Sequence, residues 1–402
     1  MGKQIAIVGA GMSGLLACKY TKEKGFNPIV FEADDGVGGV WRHTIDSTEL
    51  QNTRDTFQFF DFPWPPSVVE AHPKHHQVLH YLQAYADRFG ILQHIRFRSK
   101  VLGIQYVGES SKEMESWVRW GGSGDAFGSN GTWHIRVQNV VSGVIEVYKV
   151  DFVILCLGLY SGFPNIPVLP PQKGPEVFRG IVMHSIDYSA MDAANAAQFI
   201  KRKRITIIGS KKTAIDIAAQ CANENGTRFP CTIIQRTAHW LVPSESLLNT
   251  CMALLFYTRF SEFFFHKPGE SKTLFLLATM LSPIRWVISK LFESYLKWRL
   301  PLKKFGMLPK CSFTQDISSC HACILPDNFY DKVKEGSIVI KKSESFSFCK
   351  EGIIVSGDPS PIESDVVIYA TGYRGDEKHR SIFEQPSFKK VIARSLTGML
   401  PL

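Results

Sequence analysis

Short continuous apolar runs that end in glycine dominate the hydrophobic pattern of the chain. The first, Ile5-Ala6-Ile7-Val8, feeds into Gly9-Ala10-Gly11-Met12-Ser13-Gly14; a helical stretch then reaches Lys24, and a second apolar run ends at Glu32. This order predicts a βαβ nucleotide cradle. Its first glycine permits a tight turn, its second lets backbone amides approach a pyrophosphate, and its third lets helix and strand pack closely, with the helix N-terminus attracting phosphate charge. Glu32 stands where a carboxylate accepts hydrogen bonds from ribose hydroxyls. The loop Asp34-Asp35-Gly36-Val37-Gly38-Gly39-Val40-Trp41 brings a further glycine pair and, following Glu32 directly, reads as part of the same site.

The pattern recurs. Ile205-Thr206-Ile207-Ile208 leads into Gly209-Ser210-Lys211-Lys212-Thr213-Ala214, a helix runs through Ala222, and Cys231-Thr232-Ile233-Ile234-Gln235 ends at Arg236. Lys211 takes the place of the middle glycine, so its side chain must point away from the pyrophosphate or bind it directly. The two cradles end in opposite charges. A carboxylate repels a ribose 2′-phosphate whereas a guanidinium binds it in a fork, so Glu32 predicts FAD in the first cradle and Arg236 predicts NADPH in the second. Two dinucleotides in one chain imply hydride transfer from a nicotinamide to a flavin.

A second internal likeness links Asp151-Phe152-Val153-Ile154-Leu155-Cys156-Leu157-Gly158 with Asp365-Val366-Val367-Ile368-Tyr369-Ala370-Thr371-Gly372. Each sets an aspartate seven residues before a glycine across a buried strand, which predicts two equivalent crossings back into nucleotide domains, with Thr371 and Gly372 near the flavin. Elsewhere the pattern is less regular. Phe57 to Pro66 is an aromatic and proline-rich loop that cannot stay helical past Phe62. His76 to Phe89 is an amphipathic helix with Val78, Leu79, Leu82, Tyr85, Ala86 and Phe89 on one face. Trp117-Val118-Arg119-Trp120 and Trp133-His134-Ile135-Arg136-Val137, separated by the glycine-rich Gly121 to Gly131, are strands of a β-meander. From Cys251 to Leu300 the chain is apolar and aromatic, including Phe263-Phe264-Phe265, but Arg259, Glu262, Lys272, Pro283 and Arg285 break it below the roughly twenty apolar residues a spanning helix needs. A buried or substrate-covering helical pair is the first reading, a membrane-surface patch the second.

The fold class is therefore α/β: two Rossmann-like dinucleotide-binding domains of the two-dinucleotide-binding flavoprotein type, with a β-meander and an apolar helical insertion. Residues 1–165 form the first part of the FAD-binding domain, with the meander near 96–150. Residues 166–345 form the NADPH-binding domain, with the apolar insertion near 245–305. Residues 346–402 return to the FAD-binding domain.

Composition narrows the setting. With 45% hydrophobic and 21% charged residues the 402-residue chain is an ordinary folded protein. Its net charge of +9 is scattered apart from Lys201-Arg202-Lys203-Arg204 and a few Lys-Lys pairs, which argues against nucleic acid as a partner. The basic run and Lys211-Lys212 either raise the potential around the NADPH site or form a solvated face. Nine cysteines, odd in number and spread out, do not form a disulfide framework, and a reducing cytoplasmic location is expected, with an endomembrane surface as a second contact. Cys320-His321-Ala322-Cys323 has metal or redox spacing but no second ligand pair, and His72, His75, His76 and His80 read as a solvated face, so no metal site is assigned.

Between the cradles lies Phe178-Arg179-Gly180-Ile181-Val182-Met183-His184-Ser185-Ile186-Asp187-Tyr188, which resembles the identifying motif of the flavin-containing monooxygenases: phenylalanine, glycine, histidine and a terminal aromatic at fixed spacing, just before the NADPH cradle. The resemblance extends over the FAD glycines, Glu32 with Gly38-Gly39 and Trp41, the Asp61-Phe62-Pro63 loop, Arg236 with Trp240, and Ala370-Thr371-Gly372-Tyr373. It is closest to the plant branch that includes the N-hydroxypipecolate-forming enzyme. The resemblance implies an NADPH- and O2-dependent monooxygenase, of the N,N-dimethylaniline monooxygenase type, that oxygenates a soft nitrogen or sulfur of a small molecule through a C4a-hydroperoxyflavin. No acid–base triad is needed; His184 and Tyr188 organise the linker, and the protein holds NADP⁺ over the flavin and excludes water.

Two departures stand out. Many family members have an asparagine beside the flavin; here Leu50-Gln51-Asn52-Thr53 offers Asn52 one position early, and no catalytic residue is assigned. Family members of this branch also continue past the point where this chain stops, at Met399-Leu400-Pro401-Leu402, which implies loss of closing elements of the FAD domain and part of the substrate pocket. An auxin-type oxidative decarboxylase of an α-keto acid and a truncated, non-catalytic or regulatory fragment are the alternatives. A flavin disulfide reductase would need a Cys-x-x-Cys beside a cradle, which is absent. Oligomeric state is not readable.

Overall fold

The computed structural model describes residues 2–108, 131–243, 251–252, 255, 271–319, 321–386 and 388–389. Trp117–Trp120, nearly all of the glycine-rich stretch after them, Phe263–Phe265 and Cys320 lie outside the described residues. The chain forms two compact units. One gathers Met1–His43, His76–Pro164 and the chain from Tyr373; the other gathers Thr44–His75 and Asn165–Gly372.

In the first unit, strand β1 (Gln4–Val8), helix α1 (Met12–Glu23) and strand β2 (Asn27–Phe31) make the expected βαβ, followed by helix α2 (His75–Arg88) and the short β3 (Ile95–Arg96). A meander of β4 (Ser99–Val107), β5 (Thr132–Asn139) and β6 (Ile145–Val150) comes next, then β7 (Phe152–Leu155). The parallel sheet has the order β3-β2-β1-β7, with Ala6 opposite Ile29 on one side and Val153 on the other. β1 is covered by α1 and by the meander, so both of its faces are buried, which is why it reads as an unbroken apolar run. The meander packs its Ile104, Ile135, Val137 and Val150 against Ala6, Val8 and Phe31. Helix α2 buries Val78, Tyr81, Leu82, Tyr85 and Ala86, close to the expected face.

The second unit repeats the plan with one more strand. It contains β8 (Ile181–His184), α3 (Ser185–Ser189), α4 (Ala193–Ile200), β9 (Ile205–Ile208), α5 (Lys212–Asn225), β10 (Cys231–Gln235) and β11 (Leu241–Val242). After α6 (Lys272–Met280), α7 (Ser282–Arg299) and α8 (Phe313–Ser318) come β12 (Cys323–Ile324), α9 (Phe329–Glu335) and β13 (Ile338–Lys342). An antiparallel sheet of β14 (Phe346–Cys349), β15 (Gly352–Val355) and β16 (Asp358–Glu363) precedes β17 (Val366–Tyr369). The parallel sheet runs β13-β10-β9-β17-β8, so β17 lies beside β9 as β7 lies beside β1. Each strand with the aspartate-to-glycine pattern thus borders the first strand of its own cradle.

The domain boundaries differ from those expected. Residues from 346 do not return to the first unit: β14–β16 cover the second sheet through Phe348, Ile353 and Val355, β17 is inside that sheet, and the crossing falls at Tyr373. The aromatic loop region Thr44–His75 also belongs to the second unit rather than to 1–165. Strand pairing is non-local, and neither pairing is signalled by local residue pattern. The expected burial of the helical pair is met only by α7, which buries Ser289, Phe292, Glu293 and Leu296 on one face. Helix α6 buries only Ala278, while Leu274, Phe275, Leu276, Leu277 and Met280, with Trp286, Leu291 and Trp298 of α7, are exposed. No single helix among the described residues is long and apolar enough to cross a membrane; α6 and α7 meet both conditions only together, across a 46° bend.

Candidate functional site

The first cradle is shaped by close backbone approaches. Gly9 has φ +107°, and a Cβ on it would lie 2.5 Å from the Cys156 carbonyl oxygen at the end of β7. A Cβ on Gly14 would lie 1.8 Å from the Gly9 oxygen, so only glycine lets α1 sit this close to the loop. The second glycine pair joins the same place: Gly38 N–H donates to Ala10 O at 3.1 Å, and a Cβ on Gly39 would be 3.0 Å from Gly11 Cα. Trp41 follows in a half-buried turn. At the start of α1 no side chain caps the helix, and Met12 and Ser13 are exposed. Helices α4, α6 and α8 by contrast are capped by Asp192, Ser271 and Ser312. The uncapped α1 amides are open to an anion.

Glu32 is buried at the end of β2. Its Oε2 accepts from Ala10 N–H at 2.6 Å and its Oε1 from Asp34 N–H at 3.0 Å. Each carboxylate oxygen has a further lone pair for a ribose hydroxyl, so the residue both pins the glycine loop and keeps acceptor capacity. Lys378, on helix α10 (Gly375–Ile382), was not foreseen from the sequence, where that helix reads as an ordinary polar segment. Its ammonium donates to Leu157 O at 2.5 Å and Ser161 Oγ at 2.7 Å; burial lowers its pKa and the nearby Glu32 charge opposes that shift.

The second cradle repeats this construction. Gly209 has φ +138°, and a Cβ there would lie 2.3 Å from Ala370 O at the end of β17, the counterpart of Gly9 and Cys156. Lys211, in place of the middle glycine, has φ −94°, a conformation open to any residue, and α5 again has no side-chain cap. Thr213 is exposed and Ala214 is buried at the place of the third glycine; Ser210 Oγ donates to Thr237 O at 2.9 Å. Arg236 is exposed at the end of β10 and makes no ion pair among the described residues. Lys212 is engaged otherwise: its ammonium lies 2.8 Å from Asp216, a carboxyl that burial pushes up to about 6. The basic run does not reach this site. Lys201 to Arg204 precede β9, at the opposite end of the strand from Gly209, where Lys201 pairs with Glu224 and Arg204 with Glu363 and Asp365.

The Phe178–Tyr188 segment organises the second unit. Phe178 packs on Phe348, and a Cβ on Gly180 would lie 2.4 Å from Asp365 O. His184 is buried; its Nδ1 accepts from Ile186 N–H at 3.2 Å, its Nε2–H donates to Gly372 O at 3.1 Å, and its backbone N–H donates to Asp187 at 3.1 Å. Burial lowers its pKa, so it is held neutral. Tyr188 is buried with its hydroxyl donating to Gln220 at 3.0 Å. Thr371 and Gly372, grouped with the FAD residues in the sequence, belong to this second unit. Asn165 N–H donates to Gly372 O at 2.9 Å, and Thr371 Oγ1 donates to Asn165 O. Asn52 is half-buried in the second unit's loop beyond Leu50. Among the four histidines read as solvated, His72 is buried with Nδ1 on Leu50 O at 3.0 Å, and His75 bonds Asp46 O at 3.0 Å; His76 and His80 are exposed.

Two parallel-sheet cradles, one ending in a buried glutamate and one in an exposed arginine, define a two-dinucleotide flavoprotein oxidoreductase. Residues 2–394 match the flavin-binding monooxygenase-like family, and the chain belongs to it. It is 39% identical to the probable flavin-containing monooxygenase 1 of Arabidopsis thaliana, over 99% of this chain and 75% of that protein. It is 34% identical to the putative flavin-containing monooxygenase 2 of the same plant, over 95% and 74%. Among solved structures, an oxidised steroid monooxygenase bound to NADP matches with TM-score 0.63 at 18% identity, covering 96% of this chain and 73% of that one. An open cyclohexanone monooxygenase matches with TM-score 0.63 at 17% identity, covering 96% and 76%. These structures share the fold. At the level of the family the cofactors are FAD and NADPH, as the two cradles predict.

Proposed function

We propose that the chain is an NADPH- and O2-dependent monooxygenase that transfers one oxygen atom to a soft nucleophilic nitrogen or sulfur of a small molecule, in the manner of N,N-dimethylaniline monooxygenases. The observation that carries this is the pairing of Glu32 and Arg236 at equivalent ends of two like cradles, within a flavin monooxygenase family. Bound FAD supplies hydride acceptance from NADPH and activation of O2; one oxygen atom goes to the substrate and the other leaves as water.

The chain's own residues bind and orient. Gly9, Gly14 and Gly39 keep the first cradle open to a pyrophosphate, the uncapped α1 amides face its charge, and Glu32 takes the ribose hydroxyls. In the second cradle Gly209 and the α5 amides take the pyrophosphate and Arg236 the 2′-phosphate. His184, neutral, uses both ring nitrogens in hydrogen bonds and so holds the turn after β17 in place. The exposed apolar residues of α6 and α7, alongside exposed Lys272, Lys290, Lys297 and Arg299, support contact with an anionic membrane surface by an otherwise cytoplasmic protein.

Incubation with NADPH, ¹⁸O2 and a panel of tertiary amines and sulfides, followed by mass spectrometry, tests the proposal. One ¹⁸O atom per product molecule is expected. Hydrogen peroxide as the sole oxygen product, or carbon dioxide released from an α-keto acid in place of an oxygenated amine or sulfide, would count against it.

A further inference from the structure

We propose that His239, Asp316 and His321 form a binding site for one divalent metal ion of the zinc class in the second unit. Strand register brings the histidines together. β11 and β12 pair in parallel with Leu241 opposite Cys323 and Val242 opposite Ile324, so the residues two places before each pair, His239 and His321, arrive side by side. Their rings are 4.9 Å apart at 66°. Asp316, on α8, places Oδ1 3.0 Å from His239 Nδ1 and 3.8 Å from His321 Nδ1. One ligand atom from each of the three lies within 4.8 Å of the others. A tetrahedral zinc with bonds of about 2.0–2.2 Å holds neighbouring ligand atoms about 3.4 Å apart, and the two distances bracket that edge.

The surroundings orient the donors. Asp316 is buried, and its second oxygen is fixed by Trp240 N–H at 2.7 Å. Its backbone carbonyl accepts from His321 N–H at 2.9 Å, tying the third ligand to the second, and Trp240 Nε1 donates to Cys311 O at 3.0 Å. Outer partners of this kind set the direction of a ligating carboxylate. A water would complete a tetrahedral set of four. An ordinary histidine–aspartate hydrogen bond accounts for His239 but leaves His321 beyond hydrogen-bond reach of the carboxylate. Lys211 is the cation that opposes a metal charge here, acting on His321 from the start of α5. Two imidazoles and a carboxylate suit zinc better than calcium or magnesium, which take oxygen ligands. A bound ion would tie the segment after Arg236 to α8 and β12, and so steady the residue that receives the 2′-phosphate.

The test uses the full FAD-loaded chain, stripped with a chelator, desalted, and titrated with Zn²⁺ against a chromogenic competitor. One equivalent per chain is expected to bind tightly and to raise the Tm. The affinity should fall by at least about tenfold in H321A and in H239N. His321 has 40% of its side chain exposed, so H321A should keep the wild-type circular dichroism and flavin content; H321N serves if it does not. The nine cysteines are competing zinc ligands. Zinc bound equally by the wild type and by an H239N/H321A double variant, X-ray absorption showing only sulfur ligands, or no stoichiometric binding by the wild type would each overturn the proposal.

Discussion

An alanine at Gly9 or Gly209 should disable one cofactor and spare the other. At Gly9 the added Cβ would sit 2.5 Å from Cys156 O with φ at +107°, and at Gly209 it would sit 2.3 Å from Ala370 O with φ at +138°. Each position combines two penalties. An L-residue forced to positive φ costs about 1–2 kcal/mol, and inserting an atom into closed packing costs about 1–3 kcal/mol more, giving roughly 2–5 kcal/mol, on the scale that perturbs a loop without unfolding a domain. Gly25 separates the terms: its φ is +80° with nothing within 4 Å of the added Cβ, so G25A should show only the backbone part, about 1–2 kcal/mol. Flavin content, from absorbance after denaturation, and thermal unfolding read out the effects. G9A should lose most of its flavin. G209A should retain flavin but require far more NADPH for reduction. A G9A protein with full flavin and wild-type Tm, or a G209A protein that loses flavin and keeps normal NADPH dependence, would refute the assignment of the cradles.

Other consequences follow from single residues. Because Arg236 is exposed and free of ion pairs among the described residues, R236A should lose a charge-assisted phosphate contact of about 1.5–3 kcal/mol. That is a rise of roughly 10–150-fold in the apparent KM for NADPH, with NADH kinetics little changed; an equal effect on both cofactors would exclude 2′-phosphate recognition. His184 has its pKa lowered from 6.5 by burial, so the unfolded chain takes up this proton first as pH falls. Its contribution is present above pH 6.5 and lost below it. Tm measured from pH 7.5 to 5 should therefore drop more steeply in the wild type than in H184Q, and parallel slopes would contradict the neutral, buried role. Replacing exposed Trp286 and Trp298 by alanine should lower partition onto anionic vesicles severalfold without changing flavin content; a wild-type protein that ignores such vesicles would remove the membrane contact.

The cradles were legible because their signals are local: a glycine whose φ must be positive, an apolar strand, and the charge that ends the next strand all lie within one βαβ. The likeness between Asp151–Gly158 and Asp365–Gly372 was also legible, and the structure gives it a cause, since each strand ends against the first glycine of its cradle. Which unit each segment joins was not. β17 enters the second sheet by pairing with β8 and β9, strands distant in sequence, and no local pattern encodes that choice. Charge was misleading where position along a strand matters: Lys201 to Arg204 sit at the wrong end of β9 to meet a phosphate. Nearness of histidines in the sequence is a poor guide to nearness in space. His72 to His80 are neighbours in sequence but scatter into backbone contacts or solvent, whereas His239 and His321 meet only through the β11–β12 register.

The most direct test of the central claim is anaerobic stopped-flow reduction of the flavin in the purified chain by NADPH and, separately, by NADH. Two dinucleotide cradles with Glu32 and Arg236 at their ends predict a yellow protein whose flavin is bleached by NADPH far faster than by NADH at equal concentration, with that preference abolished in R236A. A flavin-loaded protein that NADPH does not bleach, or that both nucleotides bleach at the same rate, would contradict the account.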